Sequence, residues 1–158
     1  MGARSTATLL LLGLTLLCSA RDAEDQDRDV AVVVNTGNPI KNVSLGDLRR
    51  IFVGTKHLWP GGQAIKLVTR GPGCSERMAL LKLMAMSEIE YKQYWTAQVF
   101  RGEADAEPFT VPSVGMQKEA LNLFPGAITL VKMTEVKPGM KVLRVEGLLP
   151  GEAGYPLR

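Results

Sequence analysis

Residues 65–86 read IKLVTRGPGCSERMALLKLMAM: an apolar run, a glycine-proline-glycine break, and then apolar residues at helical spacing. The first part, Ile65 to Arg70, predicts a buried strand, which the break at 71–73 ends. A helix from Ser75 to Met86 is predicted by its apolar positions: Met78, Leu81 and Ala85, backed by Leu80 and Met84. A strand, a glycine loop and a helix form the repeating unit of α/β proteins, so this stretch predicts the fold class.

The same alternation extends to both sides of this stretch. Residues 29–36 read DVAVVVNT and predict a buried strand, as do residues Ala127 to Val131; a last strand is predicted from Lys141 to Val145. Serines that can act as N-caps begin three more predicted helices, at Ser44, Ser87 and Ser113. Their predicted buried faces are Leu45, Leu48, Ile51 and Phe52; Tyr91, Trp95 and Val99; and Met116, Ala120, Leu123 and Phe124. The segment from Gly102 to Pro112 is predicted to be a polar connection. The order predicts an α/β domain with a mainly parallel or mixed sheet flanked by helices.

Length and composition are those of one globular domain. The chain has 158 residues, of which 46% are hydrophobic, 22% charged and 6% aromatic, so it can bury a core and is not a disordered chain. Its 19 basic and 16 acidic residues give a formal net charge of only +3. A nucleic-acid-binding protein usually concentrates basic charge more strongly, and we expect no nucleic-acid partner.

The N-terminus has the features of an export signal. Arg4 precedes an apolar run from Leu9 to Leu17, and Cys18-Ser19-Ala20 offers small residues for cleavage. We therefore expect residues 1–20 to be a signal peptide, 21–29 an acidic leader, and 30–158 the folded domain, outside the cytoplasm in the periplasm or medium. The apolar run is too short to be a stable membrane span, and the bulky residue before Cys18 disfavours a lipid-modified cysteine.

The loop from Arg70 to Glu76 is the most informative for function. Because Gly73 has no side chain, a ligand can approach the backbone there closely. The first N–H groups of the following helix have no partners within the helix. Arg70 adds a guanidinium group whose geometry suits an oxyanion. With Cys74 and Ser75, these groups form a candidate anion-binding site. The alternative is a simple turn in which Ser75 caps its own helix. Glu76 opposes binding, because its carboxylate would repel an anion and compete for the same N–H groups.

Other chemistry has little support in the sequence. Cys74 at a helix start could be a nucleophile, but His57 is the only histidine and has no evident orienting carboxylate. One cysteine in the mature chain and one histidine cannot form a structural zinc site, and no cofactor motif is present, so we expect neither metal nor cofactor. Three aromatic residues at helical spacing, Tyr91, Tyr94 and Trp95, favour core packing over a stacking surface.

Four stretches in order resemble a known family. SLGDLRRIFVGTKHLWPGG (44–62) is similar to its L-x-x-L-x-x-I-F-x-G-x-x-x-x-W segment, and KLVTRGPGCSERMALL (66–81) to its strand, arginine and S-G-T helix start. NLFPGAITLV (122–131) is similar to P-G-A-I-G-Y-V, and VEGLLPGEAGYPLR (145–158) to the closing G-x-x-P and Y-P-L. The family is that of the phosphate-binding proteins of bacterial ABC transporters, within the type 2 periplasmic binding proteins.

The resemblance implies one α/β lobe of a two-lobed binding protein that captures phosphate or a related oxyanion, with an ABC permease as a possible partner. On this resemblance, Arg70 matches the ligand-binding arginine, while Cys74, Ser75 and Glu76 stand at the positions of serine, glycine and threonine. The match is thus kept by residue type only at Arg70. A ligand held by a single lobe stays partly in water, where its hydrogen bonds are weakened.

Two functions follow as expectations. The first is a secreted, non-enzymatic protein that binds phosphate or another oxyanion weakly, through Arg70, Gly73, Cys74 and Ser75. The second is an interaction module that has lost its ligand and uses its open face to bind a second copy or another protein. An enzyme with Cys74 as nucleophile is the third and weakest reading.

Overall fold

The computed structural model describes residues 28–158. The predicted signal peptide, residues 1–20, and most of the predicted acidic leader lie outside the described residues. Within the described part, no helix is both long enough and apolar enough to cross a membrane.

Strands and helices alternate along the chain. The strands are β1 (Val30–Asn35), β2 (Asn42–Val43), β3 (Lys66–Arg70), β4 (Phe109–Val111), β5 (Ala127–Lys132), β6 (Met140–Val142) and β7 (Arg144–Val145). The helices after residue 44 are α1 (Leu45–Phe52), α2 (Ser75–Met84), α3 (Glu88–Phe100) and α4 (Val114–Leu123), with a short 3-10 helix at Met133–Glu135.

Five of the strands form one mixed sheet in the order β4-β3-β5-β1-β6. Strand β3 is parallel to both of its neighbours, β4 and β5, whereas β1 is antiparallel to β5 and β6. The predicted mixed sheet flanked by helices is confirmed. Because β3 and β4 run in parallel, the loops that follow them emerge at the same edge of the sheet.

Strand β1 is buried on both faces, which explains its unbroken apolar sequence. Val30, Val32 and Val34 join a core that includes residues of α1, α2 and α3, whereas Ala31 and Val33 join the core beneath α4. The sheet is therefore covered by three helices on one face and by α4 on the other. The C-terminal tail closes one side of this core, since the Tyr155 hydroxyl donates to the Val30 carbonyl at 2.9 Å.

The predicted N-caps are confirmed. The side chains of Ser44, Ser87 and Ser113 each accept a hydrogen bond from a backbone N–H three residues later. At Ser87 the Glu90 side chain also accepts from the Ser87 backbone N–H, completing a capping box.

Two strand predictions were wrong. Strand β4 lies inside the segment from Gly102 to Pro112 that was predicted to be a polar connection. It was missed because a strand of three residues between Pro108 and Pro112 has almost no sequence signal. The flanking prolines are tolerated because β4 is at the edge of the sheet. The predicted last strand from Lys141 to Val145 divides at Leu143 into β6 and β7, which belong to different sheets.

Several predicted core positions are exposed, namely Met78, Val99, Met116 and Leu123. In α2, apolar residues occur all round the helix, so spacing alone did not identify the buried face. In α4, the buried face contains Gln117, whose amide donates to the Thr129 hydroxyl and to the Leu130 carbonyl, each at 2.7 Å. A hydrophobic pattern overlooks a buried polar residue whose amide nitrogen donates in this way, although its Oε1 has no hydrogen-bond partner.

Gly126 joins the segment before β3 to the start of β5. Its carbonyl accepts hydrogen bonds from Lys66 N and Trp59 Nε1, at 3.1 and 3.0 Å. A Cβ at this position would overlap the carbonyl oxygen of Ala64. The close approach of these two backbones therefore requires glycine.

We expect Gly126→Ala to lower the free energy of unfolding by about 1–3 kcal/mol, because the clash is with backbone and cannot be relieved by a side-chain rotation. The matched control is Gly61→Ala, where a Cβ would have no neighbour within 4 Å, and which should change stability by less than about 0.5 kcal/mol. Urea denaturation of both variants measures the difference. Equal stability of the two would show that the approach of Ala64 is not a constraint.

Candidate functional site

The candidate site lies at the carboxyl ends of β3 and β4. Arg70 is the last residue of β3 and pairs in register with Val111 of β4. The loop after β3 turns through Gly73, whose φ of 91° lies in the region that favours glycine, and α2 then begins with Cys74 as its N-cap. The loop after β4 leads directly to the start of α4 at Ser113.

Glu76 lies beside Arg70 and is buried. Its carboxylate Oε1 is 3.6 Å from Arg70 Nη1, with the side chains 4% and 17% exposed respectively. This distance is an ion pair but is too long for a hydrogen bond, and Glu76 Oε1 has no hydrogen-bond partner. The other oxygen, Oε2, accepts from the Ser75 hydroxyl at 3.2 Å.

Glu76 thus occupies the space in which an anion would meet both Arg70 and the start of α2. The gap between these two side chains and the apolar residues around them, including Phe52, Leu80 and Leu130, does not admit a water molecule. Ser75 is engaged by Glu76 itself, and the Cys74 thiol donates to the Gly71 carbonyl at 3.2 Å. On this side of Arg70, the partners of the predicted site residues belong to the same loop and helix start.

The other side of Arg70 faces open space, which we call the Arg70 cleft. It has a volume of about 560 Å³ and is lined by Arg70, by residues 112–115 at the start of α4, and by residues 134–137. Lys137 lies at this cleft, with Nζ close to Gly115. The cleft therefore combines two cationic side chains with a helix N-terminus, and Glu135 is the one carboxylate in its lining.

Sequence reasoning identified Arg70 but not the rest of the cleft. Ser113 was recognised only as a helix cap, and Lys137 lies in a segment that has no recognisable motif. The parallel pairing of β3 with β4 brings the start of α4 beside Arg70, and that pairing depends on a strand that the sequence did not predict. Lys137 could have been found only through the three-dimensional arrangement.

Arg77 anchors the start of α2 to α3. Its guanidinium donates two hydrogen bonds to the Glu88 carboxylate, at 3.0 and 2.7 Å, and its centre lies 3.7 Å from the centroid of the Tyr91 ring. The side chain of Arg77 is 5% exposed. Because Arg77 follows Glu76 directly, this contact also fixes the position of Glu76.

Cys74 and His57 lie at opposite ends of β3. Cys74 follows its carboxyl end, whereas His57 lines a cavity beside Lys66 at its amino end. A strand of five residues separates the two ends by about 15 Å, so the two side chains are not arranged as a nucleophile and its base. Burial raises the pKa of the Cys74 thiol, although the backbone N–H of Arg77 opposes that shift. Cys74 is therefore a protonated thiol at neutral pH.

Tyr91, Tyr94 and Trp95 of α3 pack in the core, as predicted. Tyr91 and Trp95 are buried, and the Tyr94 hydroxyl donates to the Val53 carbonyl at 2.6 Å. These rings pack edge to face along the helix. They offer no exposed stacking surface.

Solved structures share this arrangement of sheet and helices. An ABC-type phosphate transport receptor from Vibrio cholerae superposes with a TM-score of 0.61 and 23% identity, over 77% of this chain and 48% of the receptor. A putative phosphate ABC transporter substrate-binding protein from Clostridium perfringens, with bound phosphate, gives 0.62 and 17%, over 77% and 46%. PstS from Borrelia burgdorferi gives 0.58 and 17%, over 77% and 49%. Neither protein-family models nor curated sequences give a match.

These comparisons define the class of fold. The described chain has the architecture of one lobe of a periplasmic binding protein, and the predicted resemblance to phosphate-binding proteins is confirmed at the level of the fold. The chain spans about half the length of the structures it matches.

We expect Cys74 to react slowly with a thiol reagent at about pH 8, because its raised pKa leaves less thiolate than an exposed cysteine has. The control is the same chain unfolded in urea, in which the thiol has its ordinary pKa, and both samples carry Cys18→Ser so that Cys74 is the one thiol that reacts. Ellman's reagent measures both rates. A folded chain that reacts as fast as the unfolded one would contradict the burial of this thiol.

We expect Glu88→Gln to lower the free energy of unfolding at neutral pH by about 1–3 kcal/mol, because it leaves the buried Arg77 without its carboxylate partner. The hydrogen bonds from Arg77 lower the pKa of Glu88, so this stabilisation is present above the ordinary pKa of glutamate and is lost as the pH falls through the lowered value. Denaturation at neutral pH and near pH 3 measures both effects. The exposed residue Glu119 provides the control, Glu119→Gln, which should match the wild type at both pH values. A difference between Glu88→Gln and wild type that is equally large at both would contradict the linkage.

Proposed function

We propose that this chain is a non-enzymatic binding lobe, exported from the cytoplasm, that binds phosphate or a related oxyanion weakly at Arg70. One observation carries the proposal: Arg70 stands between an internal carboxylate, Glu76, and the open Arg70 cleft. Its guanidinium has more donors than a single ion pair at 3.6 Å engages. An oxyanion in the cleft would use donors that Glu76 leaves available.

The cleft offers further groups for such a ligand. Lys137 supplies a second cation, and the N–H groups at the start of α4 supply backbone donors. The Ser113 oxygen accepts from the Met116 N–H at 3.2 Å, and its hydroxyl hydrogen remains available to donate. These groups suit a compact anion that carries several acceptor oxygens.

Two features limit the affinity. The cleft is open, so a small anion bound there stays partly hydrated and its interactions are screened. The negative charge of Glu76 also reduces the attraction that Arg70 exerts. We therefore propose binding in the millimolar range, about 4 kcal/mol of binding free energy.

In this proposal the loop residues Gly73, Cys74 and Ser75 become ligands only when the Glu76 charge is removed. They lie on the side of Arg70 that Glu76 occupies, and an oxyanion would reach them only if the Glu76 side chain moved away. Removing the charge of Glu76 should therefore strengthen binding by relieving the repulsion and by opening this side.

The ion pair of the Glu76 carboxylate with Arg70 also supports a second candidate function. If Glu76 serves permanently as the internal ligand of Arg70, the chain is an interaction module whose cleft face contacts a protein: a second copy, an ABC permease or another partner. A macromolecular partner would cover the open cleft, which a small anion cannot do. Titration with phosphate distinguishes this interaction module from the oxyanion-binding lobe.

We expect phosphate to bind the wild type weakly, and Glu76→Gln to bind it at least about tenfold more tightly, because the substitution removes a buried negative charge beside Arg70. Lys137→Gln should weaken binding, since it removes a cation of the cleft while leaving the ion pair of Arg70 intact. Glu119→Gln is the control for a change of one charge at an exposed position. Isothermal titration calorimetry with phosphate and sulfate measures all four proteins.

The outcomes separate the two functions. Tighter binding by Glu76→Gln, weaker binding by Lys137→Gln and no change in Glu119→Gln would support the oxyanion site. Absence of heat in wild type and Glu76→Gln, both folded by circular dichroism, would remove the small-anion function. The molar mass measured by light scattering then tests the interaction module. A dimer formed without added anion supports the module, and a monomer argues against binding of a second copy.

A further inference from the structure

The chain enters its folded part beside the Arg70 cleft. Val30, the first residue of β1, pairs in register with the last residue of β5. The next residue along the chain from β5 is Met133, whose backbone N–H donates to the Asp29 carbonyl at 2.9 Å. Residues 134–137 follow directly and line the cleft. Asp29 is therefore hydrogen-bonded to the residue that immediately precedes one wall of the cleft.

The directions of the strands place this entry point at the same edge of the sheet as Arg70. Strand β5 is parallel to β3 and antiparallel to β1, so the carboxyl ends of β3 and β5 and the amino end of β1 share one edge. Only β5 lies between β3 and β1 in the sheet. Two strand spacings amount to about 10 Å. A segment that precedes Asp29 needs to extend about that far to reach Arg70.

Asp29 itself is held in place by the C-terminal tail. Its side chain is fully buried; one carboxylate oxygen accepts from the Gly151 N–H, and the other pairs with Arg158 Nε at 3.0 Å. The carboxylate of Asp29 is thus engaged within the fold. The acidic residues that come before Asp29 are the ones that could meet the cleft.

The sequence just before Asp29 is complementary in charge to the cleft. Residues 22–27 read DAEDQD, which we call the DAEDQD stretch, and carry four carboxylates without a basic residue. The cleft combines Arg70, Lys137 and the start of α4 with one carboxylate, Glu135. Within residues 28–158, Lys137 forms no ion pair. A carboxylate of the stretch would give it one.

The length of the stretch is sufficient for this contact. An extended chain advances at most about 3.5 Å per residue, so Glu24 can reach about 17 Å from Asp29 and Asp22 about 24 Å. Both distances exceed the two strand spacings to Arg70. A tether of this length keeps the carboxylates at an effective concentration in the millimolar range. A bound oxyanion of millimolar affinity would meet a competitor of similar strength.

We propose that the DAEDQD stretch binds in the Arg70 cleft of its own chain, where its carboxylates pair with Arg70 and Lys137. The stretch is then a tethered competitor that lowers the affinity of the cleft for free oxyanions. The contact stands on the topology and the charges, whereas the competition rests on the proposed function.

The first test is NMR of the backbone amides of Gly115 and Lys137, which lie at the cleft on two different segments. Wild type is compared with a leader variant, and both are expressed with the whole sequence. We expect the signals of both amides to shift in the leader variant at low salt. About 0.5 M sodium chloride should move the wild-type signals toward those of the variant, because salt screens the attraction. The leader variant combines Glu24→Gln, Asp25→Asn and Asp27→Asn.

The matched control removes three carboxylates from another short acidic stretch. Residues 103–107 read EADAE, and all three acids are exposed near the amino end of β4, at the far end of the sheet from the cleft. This variant changes the net charge by the same amount and should leave the Gly115 and Lys137 signals as in wild type. It combines Glu103→Gln, Asp105→Asn and Glu107→Gln.

The second test is calorimetric titration with phosphate. At low salt, the leader variant should bind phosphate at least about threefold more tightly than wild type, because the tethered competitor is lost. The control variant should bind as the wild type does. At about 0.5 M sodium chloride, all three proteins should have equal affinity.

The two tests separate failure of this proposal from failure of the oxyanion function. Unchanged Gly115 and Lys137 signals in the leader variant would overturn the contact, whether or not phosphate binds. Equal shifts in the leader and control variants would also overturn it, since a general effect of charge would then explain them. Shifts confined to the leader variant, with no phosphate binding in any protein, would support the contact and remove the oxyanion function. Such shifts with equal phosphate affinities would overturn the competition.

Discussion

The buried ion pair between Arg70 and Glu76 is the interaction on which the proposed oxyanion site depends. A carboxylate with 4% exposure is stable as an anion only beside a cation, and Arg70 is the cation placed there. The pair is not an ideal one: the atoms are 3.6 Å apart, and Glu76 Oε1 has no hydrogen-bond partner. The start of α2 therefore holds an internal carboxylate beside Arg70, and the open space at Arg70 lies on its opposite side, toward Lys137.

The topology of the sheet places charged side chains at both of its ends. Because β3 and β4 are parallel, their carboxyl ends bring Arg70 beside the start of α4, and their amino ends bring Lys66 beside the segment that holds Asp105. The first end is largely cationic, whereas the second carries both signs over an apolar wall. One pair of short strands thus sets the chemistry of two separate cavities.

Much of the fold follows from local sequence signals. The buried β1, the glycine break after Arg70 and the serine caps all have short-range physical causes, and the structure confirms them. The failures also have causes: β4 is three residues between prolines, and the buried face of α4 includes the polar Gln117, whose amide nitrogen donates to Thr129 and Leu130 of β5. Local patterns do not contain such partners.

The candidate site was predicted in part for the same reason. Arg70 and the opposing effect of Glu76 were recognisable because both belong to one loop. That the Glu76 side chain is directed into the core beside Arg70, and that Lys137 approaches from a segment more than sixty residues away, depends on packing that the sequence does not show locally.

The most direct measurement is a crystal structure of the wild-type chain grown in a high concentration of phosphate. The account predicts that Glu76 remains beside Arg70 and that density for the anion lies in the Arg70 cleft near Lys137. Phosphate bound between Arg70 and the start of α2, with Glu76 turned out into solvent, would contradict it.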